Sequence, residues 1–131
     1  MSQENVELLR QAYSAFAQGD SESMAKLAGE YLHPDFELET TFVGHVFRGL
    51  DGLQEYINEV RENLGYTPGP EEFIDLGHKV VVVLRVTGRG AGSGVSFTAQ
   101  VATVWTIDGR AVHAKAFGSR DEALQAARLS E

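Results

Sequence analysis

The chain contains no cysteine. That excludes disulfides, thiolate metal sites and a cysteine nucleophile. Basic residues are also few: 11 lysines and arginines stand against 19 acids, a formal charge of −8. Such a balance argues against binding to nucleic acid or to an anionic membrane surface, which needs basic patches. No apolar run approaches the ~20 residues of a membrane-spanning helix. The opening Met1-Ser-Gln-Glu-Asn-Val lacks the basic and apolar segments of a signal peptide, so the expected address is the cytoplasm. Histidine is sparse, and His33, His45, His78 and His113 form no i, i+4 pair. No metal site is therefore expected. The glycine tract Gly88–Gly94 lacks a closing Gly-Lys-Ser/Thr and leads into a strand pattern, so it is no phosphate loop. A Gly-x-Ser-x-Gly elbow is missing too. No cofactor is expected.

What remains is a chain of 131 residues that suits one domain, 1–131, with 43% hydrophobic residues to build its core. Val6, Leu9, Tyr13 and Phe16 recur at helical spacing, and Gly19-Asp20 ends the pattern. Met24, Leu27, Ala28 and Tyr31 predict a second helix capped by Asp20 or Ser21. Pro34 stops it, since proline lacks the N–H and restricts the residue before it. A third helix is expected after Asp51 as cap, with Leu53, Tyr56, Ile57, Val60 and Leu64 as its stripe. Gly65 and a Pro68-Gly-Pro70 turn would close it.

The second half reads as β. Phe73–Leu76 is a modest strand, and Gly77-His78 a turn. Lys79–Thr87 carries Val80, Val81, Val82, Val83, Leu84 and Val86, a run that predicts a strand buried on both faces. Val95–Ile107 and Ala111–Phe117 follow, joined by the Asp108-Gly109 hairpin signal. Ser119 and Glu122 make a capping box for a last helix, Arg120 to Leu129. The order α-α-β-α-β-β-β-β-α predicts an α+β fold with helices on one face of a curved antiparallel sheet. Three short helices cannot fill its concave side, so a pocket is expected between helices and sheet.

The stretch from Tyr31 to Phe42 sits at that junction. Phe36 and Leu38 alternate with Glu37 and Glu39, so one side of the strand is apolar and the other acidic. An acid turned into an apolar pocket would have its pKa raised and become a useful base; an acid facing water would not. Tyr13 is either a core tyrosine or a hydroxyl donor to a developing oxyanion. Phe16, Tyr31, Phe36, Leu38, Phe42, Tyr56, Trp105 and Phe117 are candidates to line a hydrophobic ligand cavity, and each alone is equally a core residue. His113 alternates with Lys115 and faces either pocket or water.

Five segments together resemble the SnoaL-like branch of the nuclear-transport-factor-2-like superfamily. They are Tyr13-Ser-Ala-Phe-Ala-Gln-Gly-Asp20, His33-Pro-Asp35, Phe47-Arg-Gly-Leu-Asp-Gly52, Val104-Trp-Thr-Ile-Asp-Gly-Arg110 and Ser119-Arg-Asp-Glu-Ala-Leu124. The resemblance implies a cone-shaped half-barrel, a curved, mostly antiparallel sheet wrapped around N-terminal helices. It also implies an apolar pocket and a homodimer formed through the outer face of the sheet. In ketosteroid isomerases of this superfamily a carboxylate base ends the first strand. A gap-free match puts Glu39 there, and a slip of one residue puts Thr40 there instead. The oxyanion tyrosine falls near Tyr13, and the second oxyanion acid falls on Gln100, an amide. The implied ligand is a small hydrophobic molecule. The activities that follow are cofactor-independent proton transfer next to a carbonyl, as in isomerisation or cyclisation, or epoxide hydrolysis or dehydration in the same pocket. The alternative is a non-catalytic binding or interaction module.

Overall fold

The structure, a computed structural model, describes residues 2–40, 46–59, 67–89 and 96–129. Helices α1 (Ser2–Gln18) and α2 (Ser21–Tyr31) come first. Asp20 caps α2: one carboxylate oxygen accepts from the Ser23 amide at 3.1 Å and the other from its hydroxyl at 2.6 Å. These two bonds hold the Asp20 carboxyl below its ordinary pKa. Strand β1 (Leu32–Thr40) starts directly after α2 and runs through His33-Pro34, where the helical pattern stops. Strand β2 (Phe47–Arg48) is a two-residue edge that the sequence did not signal. It pairs with β1 at Glu37 and Leu38.

Helix α3 (Gly49–Glu59) opens two residues before Asp51, so that acid sits in the first turn rather than at the cap. It packs on β1 and β2. Gly52 makes this approach possible, because a Cβ there would lie 2.8 Å from the Phe47 carbonyl carbon. Val60, Leu64 and Gly65 lie outside the described residues, as do Phe42 and His45.

Strand β3 (Thr67–Asp75) corrects a second expectation: Pro68-Gly-Pro70 is strand, not turn. The sheet order is β2-β1-β6-β5-β4-β3, so β3 is an edge, the place in a sheet where proline is tolerated. Its register shifts between Pro70 and Glu72. Strands β4 (Lys79–Arg89), β5 (Ser96–Asp108) and β6 (Arg110–Phe117) complete a curved, unclosed sheet. Gly109 alone separates β5 from β6, at φ +74°. All pairings are antiparallel except β1 with β6.

The valine run is buried on both faces, as its composition predicts. Val80, Val82, Leu84 and Val86 join Leu9, Phe36, Leu38 and Phe47 in an inner core. Val81 and Val83 join Ala102, Val104, Ala123, Leu124 and Ala127 in an outer one. The outer core exists because helix α4 (Arg120–Leu129) folds back over β4, β5 and β6. The helices therefore lie on both faces, not on one. Ser119 accepts from the Glu122 amide at the start of α4, and Arg120 bonds both oxygens of Glu72 on β3. No helix among the described residues is long and apolar enough to cross a membrane.

Candidate functional site

The inner face of the sheet and helices α1, α2 and α3 line a partly open cavity of about 130 Å³. Strand alternation supplies Val101, Thr103 and Trp105 from β5, Leu84 and Val86 from β4, Leu38 from β1 and Ala116 from β6. Helical periodicity supplies Ala12, Tyr13 and Phe16 from α1, Met24 from α2, and Leu53, Tyr56 and Ile57 from α3. Neither Asp, Glu, His, Lys nor Arg is among these lining residues.

Polarity inside the cavity centres on Tyr13. Its hydroxyl accepts the Trp105 indole N–H at 3.1 Å, and the two rings meet edge to face at 6.4 Å and 89°. Trp105 in turn stacks on the fully buried Phe36, at 5.9 Å and 19°. Thr103 lines the same part of the wall. Burial dominates the Tyr13 titration and pushes it up to about 12, against the opposing pull of Trp105 and Thr103. The group is thus a neutral phenol near pH 7. Among the described residues no buried side-chain nitrogen or oxygen lacks a partner.

The acids lie elsewhere. Phe36, Leu38 and Thr40 are the buried side of β1, and Glu37 and Glu39 point to the outer face. Glu39 Oε2 meets His113 Nε2 at 2.6 Å. The His113 hydrogen bond holds the Glu39 carboxyl below its ordinary range, and the neighbouring Lys115 adds to that pull. This is the reverse of the raised pKa that a pocket base needs. Glu37 bonds Arg48 Nε at 3.2 Å on the same face. Of the two residues left open by the register, Thr40 is the one on the cavity side of the strand.

The sequence candidates thus separate into groups. Tyr13, Phe16, Leu38, Tyr56 and Trp105 line the cavity together. Phe36 supports it from behind through Trp105. Glu39 and His113 form the outer-face pair, and Phe117 packs into the outer core with the Lys115 ammonium 5.5 Å from its ring centre. Gln100 is exposed on β5, with the alternation of Ala102 and Val104 rather than that of Thr103. Tyr31 is exposed at the end of α2, beside a polar groove between α1 and α2. Thr103 was missed, although it shares the parity of Trp105 on one strand, which is a signal the sequence carries. Among the described residues no three His, Asp or Glu cluster closely enough to hold a metal ion.

Comparison with known proteins bears on the same geometry. A search of the curated proteins finds no match. Among solved structures the chain is similar to TerC co-crystallised with polyporic acid, at 25% identity and a TM-score of 0.72, over 92% of this chain and 95% of that one. A protein from Jannaschia sp. CCS1 that bears the name SnoaL-like polyketide cyclase superposes with a TM-score of 0.74 at 19% identity, covering 95% of this chain and 92% of that one. A protein with a ketosteroid isomerase-like fold from Catenulispora acidiphila, in complex with trimethylamine, gives 0.71 at 13% identity over 91% and 90% of the two chains. The model of the SnoaL-like domain matches residues 9–114, from the first helix to the last strand. With that span covering most of the fold, the chain belongs to the SnoaL-like domain family.

Proposed function

We propose that this chain binds a small, neutral, hydrophobic molecule in the cavity between α1, α2, α3 and the sheet, and does so without carrying out proton transfer. One observation carries this: among the described residues the cavity wall is apolar apart from hydroxyls and the Trp105 indole, while the acid best placed in sequence, Glu39, is bonded to His113 on the opposite face. Proton transfer next to a carbonyl needs a base within reach of the carbon acid. Tyr13 is a neutral donor at pH 7 and cannot take that role, and Gln100 stands exposed on the outer side. Hydrolysis or dehydration would likewise call for an acid or histidine at the wall. A binding module needs only an apolar cavity and a few polar groups to orient its ligand. The similarity to TerC, crystallised with polyporic acid, supports a small-molecule role.

Pairing of two copies through the sheet enters this proposal in a restricted form. The apolar half of the outer face is occupied by α4. A second copy would therefore meet the remaining strip, where the register aligns Arg48, Glu37, His113, Thr106 and Lys79 across five strands.

Trp105 is the only tryptophan and lines the cavity, so its fluorescence reports occupancy. Titration with neutral cyclic ketones is expected to give a saturable change, and their carboxylate-bearing analogues none. Glu39→Gln should titrate like the parent, and a β,γ-unsaturated ketone should not turn over. Turnover that disappears in Glu39→Gln would overturn the proposal, as would the lack of any saturable response.

A further inference from the structure

The free edges of the sheet are not alike. Strand β3 closes one side and carries Pro68, Pro70, Glu71 and Glu72, and β2 closes the other with two residues. Prolines, charges and short strands are devices that keep an edge from pairing with another chain. A third edge lies inside the sheet. Strand β5 pairs with β4 from Ser96 to Thr106, but β6 reaches along it only to Ala102, opposite Phe117. Among the described residues Ser96–Val101 therefore has a neighbouring strand on one side alone.

This edge carries none of those devices. Ser96-Phe-Thr-Ala-Gln100 holds no proline and no charge, in a chain whose formal charge is −8. All five residues are exposed, Phe97 at 38%. Successive side chains point to opposite faces, so exposure at both parities leaves neither face of the segment covered. In an antiparallel ladder every second residue turns its N–H and C=O away from the strand it is paired with. On this part of β5 those groups point to the side where β6 has ended, and a row of such groups is a template for a further strand.

The segment suits its own antiparallel copy. A two-fold axis perpendicular to the sheet keeps the inner faces of both copies on one side, and the five-residue window centres it on Thr98. Thr98 then faces the partner's Thr98, Phe97 faces the partner's Ala99, and Ser96 faces the partner's Gln100. Each pair is matched: hydroxyl with hydroxyl, ring with methyl, hydroxyl with amide. No like charges meet. An uncharged, self-complementary segment fits an isologous contact, and a strongly charged partner strand would find no counter-charge in it.

We propose that two copies of this chain associate edge to edge, by antiparallel pairing of Ser96–Gln100 about Thr98, so that one sheet runs through both. The contact is separate from the outer-face strip at Arg48, Glu37 and His113, and it needs no ligand in the cavity. Five residues a side make an interface below the ~1,200 Å² of stable complexes, so the pairing depends on protein concentration.

Cysteine pairing tests the register, because the full chain has no cysteine of its own. In Thr98→Cys the two Cα atoms would lie about 4.5–5.5 Å apart across the axis, within the disulfide range of about 4.4–6.8 Å. In Ser96→Cys they would lie about 14 Å apart, four residues along the strands. All three positions used, Ser96, Thr98 and Gln100, are exposed and outside the cavity wall. Under mild oxidation Thr98→Cys is expected to become a covalent dimer and Ser96→Cys to stay monomeric. Ser96→Cys mixed with Gln100→Cys should cross-link. Sedimentation of the parent from micromolar to millimolar concentration should show a monomer–dimer equilibrium. Thr98→Lys, which sets like charges opposite each other, should weaken it about 5-fold, and mixing Thr98→Lys with Thr98→Glu should restore it.

Cross-linking of Ser96→Cys as fast as Thr98→Cys would overturn the register and the proposal with it. A Thr98→Cys chain that stays monomeric under oxidation would overturn the pairing, whether the parent is then a monomer, pairs through the outer-face strip or offers this edge to a strand of another protein.

Discussion

Replacing Tyr13 by phenylalanine removes one oxygen and changes stability in two ways that pH separates. At neutral pH the loss is that of a partly buried hydrogen bond: the Trp105 N–H, held at 3.1 Å by the phenol, is left without its acceptor. An orphaned donor of that kind costs about 1–3 kcal/mol. At alkaline pH a second effect enters. The Tyr13 pKa is about 12 in the folded chain against a reference of 10.0. A group whose folded pKa is raised stabilises the fold fully below its unfolded pKa and loses that contribution as pH rises toward the folded value. Between pH 9 and pH 11 the unfolded chain ionises at this position and the folded chain does not. Linkage then gives a loss of about 1.4 kcal/mol from the parent alone. The variant has no phenol there and escapes it. All other titrations are common to both proteins and cancel in the difference. Urea unfolding of the two proteins at pH 9 and pH 11 measures this directly. The gap between them is expected to narrow by about 1.4 kcal/mol. A gap that stays constant would refute the argument that the hydroxyl is desolvated, and with it the polar centre assigned to the cavity.

Further expectations follow from other contacts. Gly52→Ala puts a methyl carbon 2.8 Å from the backbone of Phe47. Despite the better helix propensity of alanine, it should destabilise by about 1–3 kcal/mol, read as a lower Tm; an unchanged or higher Tm would mean that α3 does not press on β2. Glu39 should titrate below an ordinary glutamate in carboxyl-carbon NMR and return upward in His113→Ala. The small stability it confers is present above the ordinary glutamate pKa and lost as pH falls through the lowered one. Leu124→Ala, in the outer core beneath α4, should cost about 2–5 kcal/mol in denaturant unfolding without altering ligand titration at Trp105. A changed ligand affinity there would mean that the two cores are coupled through the sheet.

The two cores also explain what could be read in advance and what could not. The valine run Val80–Val83 carries no alternation, and that alone predicts cover on both faces. Which element covers the outer face was not legible: Ala123, Leu124 and Ala127 form a helical stripe that fits either side, and only the turn after Phe117 sends it outward. The cavity wall was legible where periodicity is strong. Tyr13 and Phe16 fall on one helix face, and Leu38 and Trp105 on apolar strand parities. The polar candidates were harder to place. A strand of period two gives the relative orientation of Glu39 and Leu38 without saying which of them faces the helices. Burial decides: two buried apolar residues, Phe36 and Leu38, outweigh the acids between them, and Glu37 and Glu39 turn outward to Arg48 and His113. The same parity rule, applied backward from Trp105, selects Thr103 and Val101 and sends Gln100 to the other face. A position matched to a catalytic acid by spacing alone therefore carries no chemistry until its parity with the buried residues beside it is known. In this chain the polar groups among the described lining residues are the Tyr13, Tyr56 and Thr103 hydroxyls and the Trp105 indole, and a ligand in the cavity meets those first.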